Sequence, residues 1–193
     1  TTKGDRLVHV PLAQIGGKGV FVKEVEAQLL DRTIDFAVHS LKDVPARMPE
    51  GLTIVATPKR ANPFDCLIWN DDKPFSGTAV PMVIGTSSVR RINQLKTAFP
   101  DMSFMPIRGN IETRLRKMKE EGLDGIVLAA AGLERMDYLK GLHTLMLEPE
   151  VCVPAIGQGI MAVQCREGEK ELMALLRGIN DEAAAIACRT ERF

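Results

Sequence analysis

The stretch AVHSLKDVP, Ala37 to Pro45, gathers His39, Ser40, Lys42 and Asp43 directly behind an apolar alternation. Ile34, Phe36 and Val38 alternate with Thr33, Asp35 and Ala37, which is the period of a β-strand. The polar groups therefore fall at a strand's carboxyl end, the edge where open α/β sheets bind ligands. An ammonium there recognises an anion, and a carboxylate stabilises a developing cation or moves a proton. The same residues also fit a plain polar turn closed by Val44-Pro45, so this stretch alone leaves both readings open.

Two further stretches supply cations in the same position. In VIGTSSVRRINQL a strand ends at Gly85, and Thr86, Ser87 and Ser88 offer helix-capping hydroxyls beside unpaired backbone amides. A helix start of this kind favours an anion. Arg90 and Arg91 follow in the first turn, where positive charge opposes the helix dipole unless an anion offsets it. FMPIRGNIETRL repeats the design, with Arg108 in an Arg-Gly-Asn turn and Arg114 one turn into the next helix. Guanidinium forks bind carboxylates and phosphates in a bidentate manner. Because IGGKGVF lacks the strand and Ser/Thr placement of a P-loop, carboxylates are the better guess than a nucleotide.

These groups need a scaffold of alternating elements. VFVKEVEAQLL reads as a helix with Phe21, Val25 and Leu29 at helical spacing, and LTIVAT and CLIWN read as short buried strands. A strand and helix then alternate through PMVIG, SVRRINQLKTAF, MSFMPI, IETRLRKMKEEG, DGIVLAA and AGLERM, with Val89, Ile92 and Leu95 marking one buried helix face and Ile111, Leu115 and Met118 the next. IMAVQC is another strand, and two helical pieces end the chain. The pattern predicts an α/β protein with mostly parallel sheets. Crossings near Asn62 and Pro154 bracket the central block, which predicts one domain inserted into another with a ligand-binding cleft between them.

Composition narrows the function. The 193 residues hold 25 Lys plus Arg and 25 Asp plus Glu, so the net charge is zero. General attraction to nucleic acid or a membrane surface is therefore not expected. Aromatics are 5% of the chain, which leaves few platforms for stacking bases. Cys66, Cys152, Cys165 and Cys188 show no C-x-x-C pairing, and His9, His39 and His143 are scattered, so no metal site is expected. Without a signal-like segment or a membrane-length apolar run, free thiols in the cytoplasm are the expectation. The chain opens on TTKGDRL and stops on RTERF, and is expected to be a piece of a longer protein.

The blocks GGKGVFVKEVE, DFAVHSLKDVP, GTSSVRR, IRGNIETRL, LAAAGLERM and VPAIGQG, in this order and spacing, resemble the hydroxymethylbilane synthase family, also called the porphobilinogen deaminases. The resemblance covers most of the chain. It implies a transferase of porphyrin and heme biosynthesis that condenses four porphobilinogen molecules into a linear tetrapyrrole and releases ammonia. It also implies two domains like those of type II periplasmic binding proteins with mixed, mostly parallel sheets: 1–60 with 158–180 as an incomplete first domain, 61–157 as the inserted second, and 181–193 as the start of a third. By the same resemblance Asp43 is the catalytic carboxylate. Ser40, Lys42, Thr86, Ser87, Ser88, Arg90, Arg91, Arg108, Arg114 and Arg135 contact substrate, the growing polypyrrole or a covalent dipyrromethane cofactor. Lys18 and Phe21 match a cleft-side segment, Gln158 lies at the inter-domain crossing, and Asp5 reaches the site's mouth. His39 receives no role. A monomer is expected.

The family attaches its dipyrromethane to a cysteine in a Gly-Gly-Cys loop, and FDCLI, EVCVP, VQCRE and IACRT do not resemble it. By the same resemblance the family's first strand and helix are expected to lie outside this sequence. The chain alone is accordingly expected to be inactive. Against the transferase stands a non-catalytic small-anion binding module of the same architecture, which would not need a Lys-Asp pair facing arginines.

Overall fold

The computed structural model describes residues 20–70 and 81–192. Within them the chain divides by its contacts into two units, one built up to Ala61 and again from Ile156, the other from Asn62–Ala155.

Among its described residues, unit 1 has helix α1 (Val20–Leu30) and strand β1 (Phe36–Ser40), followed by a 3-10 turn over Leu41–Asp43. Strand β2 (Leu52–Ala56) completes its first chain segment. Its second segment contributes strand β8 (Met161–Arg166) and helices α5 (Lys170–Arg177) and α6 (Glu182–Arg192), numbered in chain order. β8 lies between β1 and β2 and is antiparallel to both, with Phe36 opposite Cys165 and Ser40 opposite Met161. One core packs Leu29 of α1 on Ala37 and Leu52. The last turn of α1 carries no basic residue of its own. Arg166 supplies the missing positive charge by tertiary contact, donating to the Leu29 and Ile34 carbonyls, each at 2.7 Å.

Unit 2 holds β3 (Asp65–Trp69), β4 (Val83–Gly85), α2 (Val89–Ala98), β5 (Ser103–Met105), α3 (Ile111–Glu120), β6 (Gly125–Ala129), α4 (Ala130–Arg135) and β7 (His143–Leu147). The sheet order is β5-β4-β6-β3-β7. Alternate residues of each strand enter different cores, since Leu67, Ile84 and Val127 pack with Leu95 of α2, whereas Cys66, Ile68, Ile126 and Leu128 pack with Met118 of α3 and Leu133 of α4. Helices therefore cover both faces, as an inward-facing strand residue on either side requires.

In unit 1, β8 is Met161–Arg166, α5 is Lys170–Arg177 and α6 is Glu182–Arg192. α5 packs Leu176 on Val163 and Cys165, and α6 packs Cys188 on Leu41, Val44, Ile160 and Ala162.

The α/β class with mixed sheets is as expected, but the parallel majority is not. Among the described residues the parallel neighbours are β4 with β5 and β4 with β6, and the other pairings are antiparallel. β3, the first strand of unit 2, is laid between β6 and β7 in the opposite direction and so separates strands that run the same way.

Two faces also differ from the periodicity. Ala37 is the buried residue of β1, while Phe36 and Val38 are 47% and 54% exposed. On α2, Val89 is 69% exposed and Arg91 is buried. An ion pair rather than an apolar side chain turns that helix.

Candidate active site

In unit 1, β1 ends at Ser40 and the chain closes at once into the Leu41–Asp43 turn. Leu41 and Val44, both buried, pin the turn from either side, and the Val44 amide donates to the Leu41 carbonyl at 3.1 Å. The result leaves Asp43 exposed on a fixed backbone, with Ser40 and Lys42 half-buried beside it. Because β8 runs antiparallel, its amino end lies next to Ser40, and the residues just before it come with it. Gln158 is there, buried, and accepts from Lys42 Nζ at 3.4 Å. Gly157 permits the approach, for its φ of +71° suits glycine and an added Cβ would lie 2.8 Å from the Leu41 side chain.

His39 faces a buried polar chain. Gln164 donates through Nε2 to Glu26 at 3.0 Å, so its Oε1 accepts from His39 Nε2 at 2.9 Å. This places the His39 proton on Nε2 and ties β1, β8 and α1 together, a packing role.

In unit 2 the parallel strands β4, β5 and β6 end along one edge, and α2, α3 and α4 start there. Thr86 is buried, its amide donating to the Met105 carbonyl at 2.8 Å and its hydroxyl accepting from the Ser88 amide at 3.2 Å. Ser87 is exposed and donates to the Ile107 carbonyl at 2.9 Å, which sets the α2 start beside the Arg108 turn. Ser88 caps α2 by accepting from the Arg91 amide at 3.4 Å, and Asn110 caps α3 by accepting from the Thr113 amide at 2.8 Å. Gly109, at φ +125°, leaves its carbonyl to Arg114 Nε at 2.7 Å. Arg108 and Arg114 are half-buried and Arg135 is exposed at the end of α4. The structure thus gathers Thr86, Ser87, Ser88, Arg90, Arg108 and Arg114 at one sheet edge.

Arg91 is oriented differently from Arg90. The residue is 7% exposed and its guanidinium is directed inward, with Nε and Nη2 donating to Asp65 Oδ1 at 3.0 and 2.7 Å and Nη1 donating to the Val127 carbonyl at 2.8 Å. Those bonds occupy the fork within unit 2. Arg90, half-buried, pairs with Asp65 Oδ2 at 2.7 Å and donates through Nη1 to the Val153 carbonyl at 2.6 Å. Burial alone would raise the Asp65 pKa, but Arg91 and then Arg90 outweigh it and hold the carboxyl below the usual range.

Asp65 escapes sequence reasoning because NPFDCLI reads as a linker running into a strand. The available signal is a carboxylate opening an otherwise apolar strand, paired in the same block with two arginines in a helix's first turn. Lys18 and Asp5 lie outside the described residues, as does the side chain of Phe21.

All four cysteines are buried and free, and burial raises the pKa of each thiol, that of Cys66 to about 11. Among the described residues no group of His, Cys, Asp and Glu is arranged to hold a metal ion, and no helix is long and apolar enough to cross a membrane.

Residues 1–174 match the family model described as porphobilinogen deaminase, dipyrromethane cofactor-binding domain. The porphobilinogen deaminase of Listeria monocytogenes serotype 4a (strain HCC23) is 50% identical over 194 residues, covering 99% of this chain and 62% of that protein. The porphobilinogen deaminase of Bacillus cereus (strain B4264) is also 50% identical, over 191 residues, with the same coverage. The chain thus spans 62% of the length of these relatives. Among solved structures, the ancestral cationic amino acid solute-binding protein AncCDT-1 has a TM-score of 0.50 at 11% identity, over 89% of this chain and 75% of that one. That likeness concerns the fold, which is of the periplasmic-binding-protein type.

Proposed function

The chain belongs to the porphobilinogen deaminase family, and on that premise we propose that the longer protein of which it is part is a cytoplasmic transferase of porphyrin and heme biosynthesis, condensing four porphobilinogen molecules into a linear tetrapyrrole with release of ammonia. The observation that carries the reading is the Asp43 carboxylate, left exposed on a backbone clamped by buried Leu41 and Val44. A fixed carboxylate stabilises positive charge as it develops when the aminomethyl nitrogen leaves, and loses nothing to reorganisation at that moment. It also orients the pyrrole N–H groups.

Porphobilinogen carries an acetate and a propionate arm, which calls for cations. Lys42, Arg90, Arg108, Arg114 and Arg135 meet that demand, and Ser40, Ser87 and Ser88 add hydroxyl donors. The donor set also fits a dipyrromethane cofactor, since each of its rings bears the same two carboxylate arms. When bound, that group supplies the free pyrrole position from which the polypyrrole grows. Lys42 in unit 1, and independently the arginines of unit 2, carry the charge that would hold such carboxylates. Arg91, being engaged with Asp65, acts on them only through its neighbour. The four cysteines are poor candidates for the thioether link, since buried, protonated thiols are weak nucleophiles. The 193-residue chain by itself is therefore expected not to turn over substrate.

The test is ammonia release from porphobilinogen by the full-length protein. Asp43→Asn should lower turnover by about 100-fold or more while leaving the circular dichroism unchanged. Turnover close to that of the unaltered enzyme would remove Asp43 from the chemistry.

A further inference from the structure

Asp65 is a fully buried carboxylate facing two guanidinium groups, Arg91 on one oxygen and Arg90 on the other. Among the described residues no other carboxylate pairs with either arginine, so the cluster is one negative charge short. The surplus is not shared evenly. Arg91 is 8% exposed at its side chain and spends its fork internally, whereas Arg90 is 26% exposed and stands at the start of α2, where the helix dipole adds to its charge. Cys152 donates to Asp65 Oδ2 at 3.4 Å, and Gln94 holds Val153 through its amide at 2.8 Å and its carbonyl at 3.2 Å. These contacts fix the carboxylate and the Val153 carbonyl that Arg90 uses as a second rest.

We propose that Asp65 is a positioning residue, which orients Arg90 through one carboxylate oxygen and leaves the Arg90–Arg91 pair short of one negative charge that an incoming ligand carboxylate supplies. The reason is electrostatic. A lone arginine at a helix start is free to swing into water, but one tethered to a buried anion keeps its direction, and the second arginine prevents that anion from neutralising it. Binding then completes a two-against-two arrangement in a site of reduced dielectric. The proposal rests on the function above for its ligand and on the geometry alone for Asp65.

The experiment compares the 193-residue chain with its Asp65→Asn, Asp65→Glu, Arg90→Ala and Asp65→Asn/Arg90→Ala variants. Two properties are read, the rate at which phenylglyoxal modifies Arg90, located by mass spectrometry, and the affinity for porphobilinogen and for succinate. Loss of the tether should speed modification at Arg90 severalfold while Arg108 and Arg135 react as before. Affinity should fall by about tenfold in Asp65→Asn, the scale of one charge-assisted hydrogen bond. It should fall little further when Asp65→Asn is added to Arg90→Ala, because both remove the same interaction. Asp65→Glu keeps the charge and hence the fold, displaces the carboxylate, and should show intermediate values; it decides the matter if Asp65→Asn does not fold. Unchanged Arg90 reactivity in Asp65→Glu, or losses that multiply in the double variant, would overturn the proposal. A chain that binds succinate but not porphobilinogen sinks the functional reading and leaves Asp65 to be judged by the same cycle with succinate. Binding of neither defeats both.

Discussion

Arg192, on the last turn of α6, donates to the Val44 carbonyl at 3.1 Å, one residue beyond Asp43. Its other amino group donates to the Pro45 carbonyl. One residue earlier, Glu191 accepts from the Gly157 amide at 2.8 Å and from Arg60, which in turn donates to the Gln158 carbonyl at 3.0 Å. The end of α6 thus fastens both segments that carry the unit 1 site residues.

Arg192→Ala should therefore loosen the Asp43 turn specifically. The expected loss is about 1–3 kcal/mol, for hydrogen bonds made by a charged donor. Hydrogen exchange should quicken at Val44 more than in β3 or β6. Equal exchange in both places, with an unaltered denaturation midpoint, would show that the bond contributes nothing.

Gly157→Ala meets two penalties, a φ of +71° and a Cβ placed 2.8 Å from Leu41 Cγ and Cδ2. About 2–4 kcal/mol is expected from strain and overpacking together. Gly122, at φ +65° with nothing within 4 Å of where an added Cβ would sit, isolates the first penalty. Its alanine variant should lose only about 1–2 kcal/mol. If the two variants unfold at the same denaturant concentration, Leu41 is not in the way.

The lowered pKa of Asp65 makes unit 2 sensitive to acid. A carboxyl depressed in the folded state contributes fully above its unfolded pKa of 3.8 and loses that contribution as pH falls through its lower folded value. Urea midpoints of the unaltered chain should thus drop steeply below about pH 4. Asp65→Asn should be less stable by about 3–5 kcal/mol at pH 7, since buried Arg91 and half-buried Arg90 lose their charged partner. Its acid limb should be shallower; parallel limbs would contradict the assigned shift.

Burial and raised thiol pKa values make the four cysteines slow nucleophiles. With the Cys66 thiol pushed up to about 11, its thiolate fraction at pH 8 is about one in a thousand. Iodoacetamide at that pH should label the folded chain slowly and the urea-unfolded chain at once. Prompt labelling of any one cysteine in the folded chain would identify an accessible thiol and reopen it as an attachment point.

Most elements are legible in the sequence because their signals are local. Serine and asparagine caps announce α2 and α3, short apolar runs announce β2, β3 and β8, and the order of polar groups after each strand places Asp43, Ser88 and Arg108 at strand ends. β7, HTLML, is not legible, since it follows a turn-rich stretch and alternates weakly. What periodicity does not carry is which of two faces packs inward. For β1 the small Ala37 lies against Leu29 and Leu52 while the larger Phe36 and Val38 face out, and for α2 a charged residue takes the inward place. The sequence by itself determined the family, the α/β class and the chemistry of the cation and carboxylate groups. Only the tertiary structure decided that Arg90 and Arg91 differ in burial and in hydrogen-bond partners, because their common partner, Asp65, is 26 residues from Arg91 along the chain and reaches it only when β3 is laid antiparallel against β6.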